Sequence, residues 1–200
     1  MSDSSPTRSA LIEMKDERRA MHEGYVFLDE KCLLLAGEIL RELEHHGRLQ
    51  RAFLALNEAA LAALQAAVAR HGLQGLQVYP PTDLAQAQLL IHAHALMGVR
   101  LQDATFDAAS APAAQAVNRS PEAEQCRQAF AALLAAAATL AALCGNLERL
   151  SIEYRRSVRR ARALQDVMLP ELDQSIVDID NRLEELERED AISMRQGAGA

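Results

Sequence analysis

Apolar residues recur at alternating intervals of three and four at both ends of this 200-residue chain, and no other feature constrains its fold as strongly. Near the start they are Leu11, Met14, Met21, Tyr25, Leu28, Cys32, Leu35 and Ile39, with Arg18 taking the one polar step. Such spacing puts every member on one narrow stripe of an α-helix, with the width of a coiled-coil seam. The stripe continues less regularly through Leu43, Leu49, Phe53, Leu56 and Leu64. One helix is therefore expected over residues 7–70, opened by Ser5-Pro6-Thr7 and about 90 Å long at 1.5 Å per residue. Toward the other end, Leu147, Leu150, Tyr154, Val158, Ala161, Leu164, Met168, Leu172, Ile176, Ile179, Leu183 and Leu186 repeat the pattern. They predict a second helix over residues 122–195, opened by Ser120-Pro121-Glu122. Its steps of four around Leu164 to Ile176 resemble a stutter, and Pro170 lies within them, so local unwinding or a kink is expected there.

Between these helices the chain breaks. His71-Gly72-Leu73-Gln74-Gly75 followed by Tyr79-Pro80-Pro81-Thr82-Asp83 is incompatible with a continuous helix. Leu90 to Leu96 alternates, with His92 and His94 on one side and Ile91, Ala93 and Ala95 on the other, and leads into Met97-Gly98-Val99. This reads as a short strand or hairpin. Asp103 to Pro121 is small and polar and reads as a loop. Aromatic residues make up only 4% of the chain and Trp is absent, which disfavours a thick layered core. The expected architecture is all-α: a single elongated domain over 1–200, in which the N- and C-terminal helices form a long antiparallel two-helix coiled-coil hairpin. The central region over 71–121 is small and irregular. Met14, Met21, Tyr25, Leu28, Leu35, Leu164, Met168, Ile176, Ile179 and Leu183 are the expected seam. With flush ends, paired residue numbers add up to about 195.

Composition and motifs exclude several functions. A net charge of -7 argues against a dedicated nucleic-acid binder. Cys32, Cys126 and Cys144 are too far apart for a metal-ligand motif and are expected as reduced thiols. No secretory leader is read at Met1 to Ser9, and the uncharged run Gln128 to Leu147 is Ala-rich, so it is read as a packing surface rather than a membrane span. His92 and His94, like His45 and His46, lack nearby partners in sequence to complete a metal site. The acidic run Glu184 to Asp190 reads as a solvated helix face. There is no phosphate-binding glycine loop, nucleophile elbow or P-loop, so no catalytic residue, cofactor or metal is expected. The sharpest charged feature is Arg155, Arg156, Arg159, Arg160 and Arg162, of which Arg155, Arg159 and Arg162 share a helix face. They are expected either to meet acidic partner surfaces or to pair with Glu38, Glu42 and Glu44. Candidate partner contacts are Arg155, Arg159, Arg162, Glu184 and Arg188.

A family resemblance rests on particular residues. Pro6-Thr7-Arg8-Ser9, Gly24-Tyr25-Val26-Phe27-Leu28 with Lys31, and Met97-Gly98-Val99 are three of its segments. Arg159 to Gln165, then Leu169-Pro170-Glu171-Leu172, then Leu183 to Asp190 follow in order. In these segments the chain resembles the D subunit of the V-type and archaeal-type (V/A-type) ATPases, the central rotor stalk. The resemblance implies a non-catalytic shaft that couples ATP hydrolysis or synthesis to ion translocation. It further implies that both termini enter a hexamer of ATPase A and B subunits. The central region would contact the F subunit and the membrane-ring connecting subunit, with the complex lying cytoplasmic and peripheral to the membrane. Periodicity alone also fits a self-associating coiled-coil adaptor.

Overall fold

A computed structural model describes residues 7–80, 84, 87–107 and 119–197, the last two of these without their side chains. The expected leader before Thr7, the Pro81-Thr82-Asp83 part of the break, the loop at 108–118 and the last residues of the tail lie outside this description. In order, the elements are α1 (Arg8–Leu76), β1 (Gln88–Leu96), β2 (Val99–Asp107), α2 (Pro121–Ala163), a π-helical turn (Leu164–Met168) and α3 (Leu169–Gly197).

Both long helical stretches start where cap chemistry places them. The Thr7 hydroxyl accepts from the Ala10 N–H at 3.2 Å, which satisfies one of the donors that a helix start leaves open. At α2 the Ser120 hydroxyl accepts from the Ala123 N–H at 3.2 Å, with Pro121 at the first helical position. Glu122 and Glu124 follow in the first turn, where carboxylates meet the positive end of the helix dipole. Gly72 leaves helical geometry at φ 68° and ψ 164°, a conformation closed to most residues with a Cβ, so α1 is interrupted where the glycine-rich break predicts.

Two compact units make up the chain: Met1–Leu34 with Tyr154–Ala200, and Leu35–Glu153. In the first, α1 and the C-terminal helix run antiparallel. Arg8 pairs with Glu187 and Arg18 with Asp173, and Leu164 Cδ1 lies 4.0 Å from where a Cβ on Gly24 would sit. The pair 8 with 187 matches the expected register at that end, and the sum of paired numbers falls inward to 24 with 164. Part of that drift has a visible cause. In the π turn the Leu169 N–H bonds the Leu164 carbonyl five residues back, so the turn holds an additional residue. Pro170 follows directly. Proline has no N–H, and in a regular helix its ring would collide with the carbonyl four residues earlier, that of Asp166; the wide turn opens space at that point.

The second unit holds the sheet. β1 and β2 pair antiparallel from Gln88 with Asp107 to Leu96 with Val99. They are joined by Met97 and Gly98, both at positive φ (49° and 83°), which is a type I′ turn and suits the twist of the two strands. β2 has Val99 and Leu101 buried on one face and Ala104 on the other. Its outer edge is closed by side chains of α2. The Asn146 amide accepts from the Gln102 N–H at 2.8 Å and donates to the Gln102 carbonyl at 2.9 Å, standing in for a neighbouring strand. Thr139 donates to the Ala104 carbonyl at 3.2 Å. Asn146 is itself 3% exposed, so both bonds form away from water and are costly to lose. Where α1 ends and α2 begins, Ser120 lies 2.7 Å from His71 Nε2, Arg70 pairs with Glu122 at 2.7 Å, and the His71 and Tyr79 rings are 5.1 Å apart.

Candidate functional site

The feature that organises the molecule is the seam, and α1 carries it with a strict period of seven. Leu11, Cys32, Ala60 and Ala67 are buried and Tyr25, Ile39, His46 and Phe53 half-buried; with exposed Arg18 they form one heptad position without interruption. Met14, Met21, Leu28, Glu42, Leu49, Leu56 and Ala63 are half-buried and Leu35 fully buried, and together they form the other. Leu43, expected on the stripe, is 49% exposed. At Arg18 the side chain reaches across to Asp173, which reconciles a charge with a seam position. Hydrogen bonding and then the charge of these carboxylates, Glu187 for Arg8 and Asp173 for Arg18, push both guanidinium pKa values up.

On the C-terminal side Leu164, Ile176, Ile179 and Leu183 are half-buried, while Ser157 and Ala161 are buried. Met168, expected inward, is 41% exposed instead, and Leu169 takes the half-buried position. The additional residue of the π turn makes the step from Leu164 five rather than four. Leu186, also expected on the stripe, is 45% exposed.

Glu42 is the unusual seam residue. Burial pushes its carboxyl above the usual carboxylate range, and the negative charge of Glu38 adds to that. His45 acts in the opposite sense, Asp103 of β2 raises it further and His94 of β1 lowers it. His94 Nδ1 lies 3.8 Å from Asp103. Among the described residues no group of His, Cys, Asp and Glu could hold a metal ion. The three cysteines are free thiols, and burial followed by the charge of Asp29 pushes the Cys32 thiol up, which makes it a poor nucleophile.

The arginine cluster lies outward. Arg155, Arg156, Arg159, Arg160 and Arg162 are all exposed, and none makes an ion pair among the described residues. Glu38 pairs along its own helix with Arg41 at 3.0 Å, and Arg188 likewise with Glu184 at 2.8 Å. By length and composition alone, α1 and the stretch Pro121–Arg195 each contain a segment long and apolar enough to cross a membrane. In the second stretch this segment is dominated by Ala, which partitions weakly into lipid and is suited to close helix contacts.

Sequence reading missed the polar clasp on β2. Asn146 and Thr139 sit in an Ala-rich run with no local motif, and their partners are backbone atoms remote in sequence.

Comparison with known proteins agrees with this geometry. The family model for the D subunit of ATP synthase matches residues 10–196. The D subunit of a V-type ATP synthase from Thermotoga neapolitana is 26% identical over 96% of this chain and 95% of its own length. The D subunit of an A-type ATP synthase from Pyrococcus horikoshii is 24% identical over 96% of this chain and 91% of its own. Its V-type counterpart from Anaeromyxobacter dehalogenans is 27% identical over 98% and 96%. A match of this extent, on a chain whose two long helices pack into a heptad seam around a small hairpin, shows that the protein belongs to the family of ATP synthase D subunits, the non-catalytic central stalk of the rotary V/A-type ATPase.

Proposed function

We propose that the chain acts as the rotor shaft through which a hexamer of ATPase A and B subunits exchanges work with an ion-translocating membrane ring. The single observation that carries this is the family match over residues 10–196, which leaves neither long helix out. The mechanism is mechanical. A shaft that is not threefold symmetric, inside a ring of three catalytic interfaces, contacts each interface differently at each angle and so favours a different open or closed state there. Torque is transmitted only if the shaft resists twisting. Two helices locked by interdigitating seam side chains resist it better than one.

In this reading the end of the hairpin, with Glu184 and Arg188, lies inside the hexamer. The unpaired outward face of Arg155, Arg159 and Arg162 meets carboxylate-bearing surfaces as it turns. The F subunit and the membrane-ring connecting subunit contact the central region, and the whole stalk stays peripheral to the membrane on the cytoplasmic side. Truncation from Glu184 onward tests the placement: the complex should still assemble and hydrolyse ATP, but ATP-driven ion pumping should fall by about tenfold or more, as expected when a positioning contact is removed. Full pumping by the truncated complex would refute it.

A further inference from the structure

One seam position of the second unit carries an acid. Leu35 is fully buried and Leu49 half-buried, and between them, one heptad from each, stands half-buried Glu42. One turn earlier the Glu38 side chain is only 17% exposed. Carboxylates four residues apart share a helix face, and like charges in that arrangement repel. Both are partly covered, so solvent screens the repulsion less than it would at an open surface. A cation lies close to one of them only: Arg41 is 3.0 Å from Glu38, whereas Glu42 makes no ion pair among the described residues. The hairpin adds a third acid and an imidazole. Asp103 of β2 and His94 of β1 lie 3.8 Å apart on one face of the sheet, and both act on the Glu42 charge. His45 flanks Glu42 along α1 and acts on it as well. On α2 the charge beside β2 is Arg149, whose Nη2 is committed to the Asn146 Oδ1 at 2.6 Å.

We propose that these groups form a pH-operated latch between α1 and the hairpin, fastened at low pH and loosened as pH rises. The proton that works it sits on the Glu42 carboxyl. Ionised, Glu42 meets two like charges, Glu38 on its own helix and Asp103 on the hairpin. Glu38 is fixed one turn away, so the repulsion is relieved by the hairpin moving off. Protonated, Glu42 repels neither and gains an O–H that can donate to a carboxylate oxygen. Burial and then the charge of Glu38 hold that proton above the ordinary carboxylate range; Asp103 adds to this, while His45 and His94 oppose it. A group whose folded-state pKa is raised contributes stability that is present below the ordinary value and is lost as pH rises through the raised one. Histidine gains its charge on mild acidification. His94 then adds a cation to a contact otherwise rich in carboxylates, which tightens the latch in the same direction.

The latch rests on the fold of the second unit alone, so it stands or falls independently of the shaft reading. Hydrogen exchange on the full chain reads it, with each amide expressed as protection relative to the unfolded chain at the same pH. From about pH 5 to about pH 8 the amides of Leu89 to Asp107 should lose about threefold to tenfold in protection, a tenfold change being the effect of one pKa unit. Those of Leu143 to Leu150 on α2 should hold theirs. Glu42→Gln, fixed in the uncharged form, should keep the hairpin protected across the whole range. Glu38→Gln, which removes one of the two repelling charges, should lessen the slope. Glu44→Gln, which removes an exposed carboxylate two positions away, should retain the slope of the parent. Hairpin protection that does not change with pH, a slope that survives in Glu42→Gln, a slope that Glu44→Gln also removes, or an equal slope on α2 would each overturn the latch.

Discussion

The two units of this molecule are held by different kinds of contact. In the unit of Met1–Leu34 and Tyr154–Ala200, a seam mostly of half-buried Met, Tyr, Leu and Ile, with smaller Cys32, Ser157 and Ala161 and the terminal Leu11 buried, is bordered by exposed ion pairs between the helices. In the unit of Leu35–Glu153, Leu35, Leu101 and Leu150 are almost wholly buried, and a buried asparagine closes the edge of a strand. The first relies on repetition, so no single residue dominates it. The second buries its large side chains at a few positions remote in sequence. That contrast suits a shaft in which one portion must stay stiff while making shifting contacts, and the other must hold a hairpin in one place.

Substitutions can break the comparison. Leu150→Ala should cost the most, about 3 kcal/mol, because a fully buried leucine leaves both lost transfer energy and a cavity. Asn146→Leu should follow at about 2 kcal/mol, since it strands the Gln102 N–H and carbonyl. Hydrogen exchange should show the loss concentrated in β2. Leu28→Ala, half-buried in the seam of the first unit, should cost about 1 kcal/mol. If denaturant titrations gave Leu28→Ala the larger effect, the contrast between the units would be wrong.

Glu42→Gln probes a seam charge that burial disfavours. Its folded-state pKa is raised, so the stability it contributes is fully present below the ordinary carboxylate pKa and is lost as pH rises through the raised value. The glutamine variant should therefore melt higher than the parent at pH 7.5, and the gap should close as the solution is acidified. A gap that stays constant down to pH 3 would assign the effect to packing instead. The smallest effect is expected from Arg18→Met, which removes an exposed ion pair but places an apolar side chain on the seam; its melting midpoint should match the parent at moderate salt.

How far the sequence disclosed this fold can be judged residue by residue. Both long helices, their caps at Thr7 and Ser120, the break at Gly72 and a strand leading into Met97-Gly98 were legible because each depends on local chemistry or on periodicity; the second strand was not, since Asp103 to Asp107 reads as polar loop and becomes strand only by pairing with β1. Beyond Ile39 the period looks weaker in the sequence only because His46 and Glu42 occupy seam positions where apolar residues are sought. Met168 and Leu169 are both apolar, so spacing could not distinguish a step of four from a step of five; the backbone hydrogen bond into Leu164 decides it. Asn146 carried no signal, since a polar residue in an Ala-rich helix acquires its meaning from the strand laid against it.

The π turn has a further consequence, for how the length of this protein can change. Losing one residue from a regular helix rotates everything beyond it by about 100°, which would turn a seam away from its partner. Between Leu164 and Met168 the helix already contains a surplus residue, so one residue could be removed there and the seam beyond would keep its direction, provided Pro170 were exchanged for a residue with an N–H to complete the regular turn. Insertions and deletions in this family should therefore cluster at this point of the C-terminal helix and be rare elsewhere along it.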